Sequence, residues 1–218
     1  MAAMGERIIV SGGDEVRVFA PPGREPLEQI RLEGAGALCA YRQTVFCASD
    51  WGDMVWRLDA KKLVPTGLFA GGPGMQRLLL SPDGARLLIL CAEADSVLLL
   101  DAACGAPLVL ARTGLNPQNI ALDESGEILA VAAGESGETL LLSARSLTQL
   151  RRLPMPGIVF DVLLHNGTVY ALCLNETLNT TLTTLPCGGA RQLLTLSGMP
   201  GRMAVERGAL VCATEGFM

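Results

Sequence analysis

Catalytic equipment is scarce in this sequence. There is one histidine, His165, and it takes the place of a serine in a predicted tight turn. A turn residue far from any other polar cluster is a poor general base, because proton transfer needs geometry first. Seven cysteines are present but no C-x-x-C pair, so a zinc site is not expected. Gly-x-Ser-x-Gly is missing, and so is the phosphate-loop pattern. Gly71-Gly72-Pro73-Gly74 and Gly188-Gly189 are glycine-rich without a strand-to-helix context. No loop carries the D-x-[DN]-x-[DN]-G spacing of a calcium site. The sequence therefore assigns no catalytic residue, no metal and no cofactor.

Basic and aromatic residues are also few. Seventeen Lys and Arg stand against 22 Asp and Glu, a net charge of −5 with a pI near 5.0. Nothing there would neutralise phosphates, which argues against a nucleic-acid partner. Aromatics make up 4%, too few for stacking on sugars. The opening MAAMGERIIVSGG lacks a basic segment followed by a long apolar one, and no apolar run is long enough to span a membrane. The expectation is a cytoplasmic protein without membrane contact. Its cysteines, an odd count with five on predicted strands, are expected to be free thiols.

What the sequence does have is repetition. Gly84, Gly126, Gly167 and Gly208 are spaced by 42, 41 and 41 residues, and Gln43 lies 41 residues before Gly84. The clearest unit parses as four short apolar runs: a (Arg77–Leu80), b (Ala85–Ala92), c (Ser96–Asp101) and d (Pro107–Arg112). They are rich in Leu, Val and Ile and bounded by Gly, Pro, Asp and Asn, the pattern of strands and turns. A period near ~40–45 with four strands per unit is a propeller-blade spacing. Runs such as Leu-Leu-Ile-Leu lack alternation, as strands buried on both faces do. Within strand b, Ser11, Cys47, Cys91, Ala132, Cys173 and Cys212 fall in register and are all small.

Ser81-Pro82-Asp83-Gly84 and Leu98-Leu99-Leu100-Asp101 resemble the YVTN-type β-propeller repeat, in which a Ser-Pro-Asp-Gly-like turn joins two apolar strands and a later run ends in Asp. Leu140-Leu141-Leu142-Ser143 and Arg57-Leu58-Asp59 match it more loosely. The resemblance implies an all-β propeller of four-stranded antiparallel blades. It carries no catalytic residue, although that family has protein-binding members and lactonase-type relatives.

Taken in order, residues 1–6 read as a frayed start. Units follow at about 7–33, 37–70, 75–113, 117–154 and 158–197, with a partial unit at 202–216. The Thr-rich c strand Leu178–Leu185 suits a solvated sheet face. The first unit lacks strand a and the last has only a and b, so one domain of five blades, with the termini sharing one blade, is expected. An open arc and closure through a homodimer are the alternatives.

Two features could carry function. The b–c loops are acidic in every unit: Asp14 and Glu15, Asp50 and Asp53, Glu93 and Asp95, Glu135 and Glu138, Glu176, Glu215. They would form either a negative surface for a basic partner or merely solvated turns. Trp51 sits in one of them, as a binding anchor or as an indole lying over a neighbouring blade; Trp56, on a strand, reads as core. The residue before the apolar triplet of strand a is Gly36, Arg77, Asn119, Asp161 or Arg202. These would line a channel mouth and hold an anionic small molecule, or pair into a polar plug. The reading is a binding or scaffold propeller with a protein partner, a small ligand being the lesser option. A lactonase- or hydrolase-type enzyme with Asp161 as base is the runner-up.

Overall fold

A computed structural model of the chain describes residues 1–185 and 191–215. Gly188-Gly189 and Cys187 of the fifth unit, and Gly216 at the end of the last, lie outside the described residues. The chain falls into two compact units, Met1–Leu110 and Ala111–Met218.

The first unit begins with β1 (Ala2–Met4), β2 (Arg7–Gly12), β3 (Glu15–Phe19) and β4 (Glu28–Arg31), one antiparallel sheet in the order β1-β2-β3-β4. The second sheet is β5 (Ala35–Tyr41), β6 (Thr44–Ser49), β7 (Met54–Asp59) and β8 (Pro65–Ala70), paired in chain order. The third is β9 (Met75–Leu80), β10 (Arg86–Cys91), β11 (Ser96–Asp101) and β12 (Pro107–Arg112). Strand β1 corrects the expectation of a frayed start. Gly5, at φ +60°, turns the chain so that Ala2, Ala3 and Met4 pair with Ile9, Ile8 and Arg7. The first sheet thus has its own strand a, which removes the premise for a blade shared between the termini.

The second unit holds β13 (Asn119–Leu122), β14 (Ile128–Ala133), a 3₁₀ turn at Gly134–Ser136, β15 (Glu138–Ser143) and β16 (Gln149–Pro154) as one sheet. A further sheet is β17 (Ile158–His165), β18 (Thr168–Leu174), β19 (Thr180–Leu185) and β20 (Arg191–Leu196). Last come β21 (Met199–Glu206) and β22 (Ala209–Glu215), a two-stranded sheet. Among the described residues, five four-stranded antiparallel sheets, each wound in chain order, show the blade pattern of a β-propeller.

Burial explains the packing. Strands β6, β10 and β14 are buried on both faces over nearly their whole length. In the first unit Phe46, Phe69, Leu78, Ile89 and Leu100 form a core between the second and third sheets. Ile9, Val16, Val18, Val45 and Leu58 form another between the first and second. In the second unit Leu153, Val159, Val162 and Ala171 belong to an equivalent cluster. The Thr-rich strand departs from expectation: Thr180, Thr181, Thr183 and Thr184 are buried. The Thr180 hydroxyl donates to Gly198 O at 2.7 Å and that of Thr181 to Cys173 O at 3.3 Å, so part of the polarity is spent on backbone carbonyls instead of water.

The repeat's aspartates close turns. In the c–d turn Asp101 Oδ1 accepts from the backbone N–H groups of Ala103 and Cys104, and Asp59 Oδ1 from those of Lys61 and Lys62. The position four residues on is left-handed in three units: Leu63, Gly105 and Leu147, at φ +50°, +75° and +53°. Its N–H bonds back to Asp59, Asp101 or Ser143 O at 2.8 Å. Leucine tolerates this conformation poorly, and burial of Leu63 and Leu147 in the core offsets the strain.

Hydrogen bonds from Cys104 N–H, the Cys104 thiol and Ala103 N–H hold the Asp101 carboxyl below its usual range. A carboxylate lowered by folding adds stability above its unfolded pKa of about 4 and loses it as the pH falls through the folded value. Asp101→Ala is therefore expected to lower the urea midpoint at pH 7, with the difference from wild type shrinking below about pH 4, as parallel urea titrations across pH will show.

Desolvation pushes the Cys39, Cys47 and Cys173 thiols up to about 12 and Cys91 to about 11. The thiolate is the reactive form. Among the described cysteines Cys104 is exposed. Brief treatment of the folded protein with a thiol reagent at pH 7.5, mapped by mass spectrometry, should label Cys104 and spare Cys47, Cys91 and Cys173 until denaturant is added.

Candidate functional site

Loops gather in the first unit where strand b hands over to strand c. Asp14, in the β2–β3 turn, accepts the Gly34 N–H through Oδ1 at 2.8 Å. Gly34, in the turn just before β5, is at φ +66° and is buried. Its carbonyl accepts the Asp50 N–H at 2.7 Å. Trp51 lies over it so closely that a β-carbon on Gly34 would fall 2.0 Å from the indole Cδ1 and 2.9 Å from the Trp51 nitrogen. Only glycine fits there, on both counts. The Ser49 hydroxyl locks the turn, with contacts to Glu33 O at 2.9 Å, Trp51 O at 2.7 Å and Trp51 N at 3.2 Å. The Asp50 carboxylate packs over Gly36, the glycine at the polar position of this unit.

Trp51 is nonetheless 75% exposed. The ring rests on a neighbouring loop, and most of its surface faces water. It borders a groove of about 450 Å³ together with Ile30 of the first sheet's outer strand, Leu32 just beyond it, and Met54, Trp56 and Leu68 of the second sheet. Trp56, expected in the core, is half-buried: it packs against the core between the first and second sheets and also lines this groove. Strand alternation puts it there, because it pairs with Leu68 on the outermost strand β8, whose side chain is 47% exposed. Sequence reasoning missed Gly34, Leu68 and the groove; the glycine pair Gly34 and Gly74, both at φ +66° and 40 residues apart, was the available signal. Over Gly74 the matching residue is Glu93, not an aromatic.

The polar position of strand a coincides with a backbone irregularity. Register shifts fall at Ala35/Leu38 in β5, between Met75 and Arg77 in β9, at Val159/Asp161 in β17 and at Pro200/Met203 in β21. Such bulges re-aim a side chain and free backbone groups. In the second unit the bulges in β17 and β21 bring Asp161 and Arg202 together with Asn119 of the unbulged β13. Asp161 is 1% exposed. Its Oδ1 accepts from Asn119 Nδ2 and, at 3.0 Å, from its neighbour Val162 N–H. Its Oδ2 accepts from Met203 N–H at 2.5 Å, and Arg202 Nη1 lies 3.6 Å from Oδ1. This is a satisfied carboxylate tying β13, β17 and β21 together. Arg77 belongs to the first unit. It is exposed and lines a cavity of about 320 Å³ with Met1, Leu38 and Cys39.

The acidic loops hold to different degrees. Asp50, Asp53, Glu93, Glu135, Glu176 and Glu215 are exposed, whereas Asp14, Glu15, Asp95 and Glu138 are partly covered. His165 contacts Glu124 Oε1 through Nδ1 at 3.0 Å, on an a–b turn.

Asp161→Ala would leave Asn119 Nδ2 and two backbone N–H groups without their acceptor. Each orphaned buried donor costs about 1–3 kcal/mol, so the variant should lose about 3 kcal/mol or more in urea denaturation. Leu108→Ala, on an exposed outer strand, should change stability by about 0.5 kcal/mol or less.

Among solved structures the chain is similar to a chain of the mitotic checkpoint complex, with TM-score 0.82 at 14% identity over 96% of this chain and 68% of the other. A functionally unknown protein from Desulfotomaculum acetoxidans gives TM-score 0.76 at 13% identity, covering 93% and 70%. Kuenenia stuttgartiensis hydrazine synthase gives 0.64 at 18%, covering 80% of this chain. The chain spans about half, 53%, of the length of that hydrazine synthase chain. No protein-family model matches, and no curated protein matches by sequence. At these identities the likeness is one of fold, and the fold is that of an all-β propeller.

Proposed function

We propose that this chain is a non-catalytic binding or scaffold propeller, one domain built on YVTN-type repeats, that meets a protein partner in the cytoplasm through its b–c and d–a loops. The observation that carries the reading is Trp51. An aromatic held still by Gly34 and Ser49 yet three-quarters exposed loses little entropy when a partner covers it. Exposed Asp50 and Asp53 on either side of it favour a basic partner. The presence of a similar fold in a multiprotein complex agrees with such a role by analogy of fold.

The hydrolase reading has less behind it. A general base needs a lone pair open to substrate, and Asp161 is buried with both oxygens engaged. A small anionic ligand near Arg77, and self-association, are further proposals of lower rank.

Immobilised wild-type chain and Trp51→Ala, compared in affinity capture at low and at 0.5 M salt, test the reading. The expected outcome is a protein retained by wild type, lost with Trp51→Ala and released by salt. Equal capture by both proteins would defeat it.

A further inference from the structure

We infer that the groove between the first two a–b turns binds a small molecule carrying two or more phosphoryl groups, held by Arg7, Arg42 and Lys61. This goes beyond the protein-binding reading above, because these turns lie at the opposite strand ends from the Trp51 loop.

Three turns meet here. The Gly5-Glu6 turn joins β1 to β2, the Arg42-Gln43 turn joins β5 to β6, and Lys61 lies in the turn after β7. Between them is a groove of about 670 Å³, a volume in the range of small-ligand sites. Its lining carries three cations, Arg7, Arg42 and Lys61, against one carboxylate, Glu6. Among the described residues none of these three cations belongs to an ion pair. Two carboxylates on neighbouring turns are already occupied. Asp59 accepts the N–H groups of Lys61 and Lys62, and Asp83 accepts the Ser81 hydroxyl and the Ala85 N–H. Lys62, exposed beside Lys61, offsets the charge of Asp59. Three cations against one carboxylate thus leave a local positive excess, in a concave place, on a chain whose net charge is −5.

Arg42 is held in place by its surroundings. It takes the first position of a two-residue turn at φ +52°, a conformation that favours glycine or asparagine. Its guanidinium lies over the Tyr41 ring, 5.1 Å from the centroid. That ring packs against Gly84 so closely that no side chain would fit there. The stack sets the guanidinium before a ligand arrives. Gln43 stands in this turn where the repeat has glycine, and its amide adds a neutral donor to the lining. Guanidinium groups present paired N–H donors that match phosphoryl oxygens, and the ammonium of Lys61 adds a point charge. Cations on three separate turns suit a ligand with more than one anionic group. The patch is also short. The a–b turn of the third sheet, which meets Tyr41 at Gly84, carries Asp83, so a long polyanion would run from the cations onto a carboxylate.

Isothermal titration calorimetry at pH 7.5 and about 50 mM salt tests this. The probes are pyrophosphate and fructose 1,6-bisphosphate, with inorganic phosphate and fructose as controls. The expected result is saturable binding of one pyrophosphate or bisphosphate per chain, at least tenfold tighter than inorganic phosphate and weakened at least tenfold at about 0.3 M salt. Fructose should give no heat. Arg42→Gly should weaken binding at least tenfold and leave the melting temperature near that of wild type, because glycine accepts φ +52°. The double variant Arg7→Gln and Lys61→Gln should weaken it as much without touching the turn's backbone conformation. Lys62→Gln removes an equal charge next to the groove and should change affinity less than threefold. No saturable binding of either probe, equal affinity for inorganic phosphate, undiminished binding by the variants, or a loss with Lys62→Gln as large as theirs would each overturn the inference. A loss with Arg42→Gly that the double variant does not share would reduce Arg42 to a structural role and overturn it as well. None of these outcomes bears on capture through Trp51, so the two readings fail separately.

Discussion

A sheet of leucines, valines and alanines has two apolar faces, and neither can be left in water. In both units the solution is to stack sheets face to face, so that β6, β10 and β14 are covered on each side. That one constraint sets much of the rest. Cys47, Cys91, Ala132 and Cys173 share one register position on strand b, and all four are buried. A β-carbon on Gly72 would come within 2.8 Å of Cys91 Sγ. The same desolvation that fixes these residues keeps their thiols protonated, so the cysteines serve as small apolar filler. Some of the polar residues that enter the stack find partners there, as Thr180, Thr181 and Asp161 do.

The repeat was legible because a turn enforces it. Gly84, Gly126, Gly167 and Gly208 all adopt φ between +69° and +80°, a conformation that marks glycine in the sequence. The c–d turn hid its equivalent, because Leu63 and Leu147 take the left-handed position that Gly105 holds in the third unit. Their burial outweighs their backbone preference, and propensity alone gives no sign of that. Strand β1 was illegible for the opposite reason. Ala2-Ala3-Met4 has neither length nor alternation, and only pairing to β2 makes it a strand. On β19 threonine suggested solvent, but a hydroxyl bonded to a carbonyl is as much at home inside.

The polar position before each apolar triplet was visible as a column, and its cause is now physical. A bulge interrupts strand a near that position in four sheets, turning a side chain out of the pleat. Spacing could not show which residues pair. Asn119, Asp161 and Arg202 meet around one carboxylate because bulged backbone presents N–H groups to it as well. The Trp51 groove was half legible. An aromatic in an acidic loop stands out in a chain with few aromatics, but Leu68 and Ile30 reach it only because outer strands of successive sheets lie side by side.

Two kinds of rigid polar construction therefore coexist, and their difference bears on function. Around Asp161 both carboxylate oxygens are engaged by Asn119 and the Val162 and Met203 backbone N–H groups; such a carboxylate holds strands together and has little left to offer a substrate. Around Trp51 the hydrogen bonds are spent on the loop instead, through Asp14, Ser49 and the Gly34 backbone. They leave the indole fixed in place and its outer surface uncommitted. Burying that surface brings the gain of desolvation without the cost of ordering it. Affinity in this fold is therefore best sought at the loop where rigidity was built and contact was withheld.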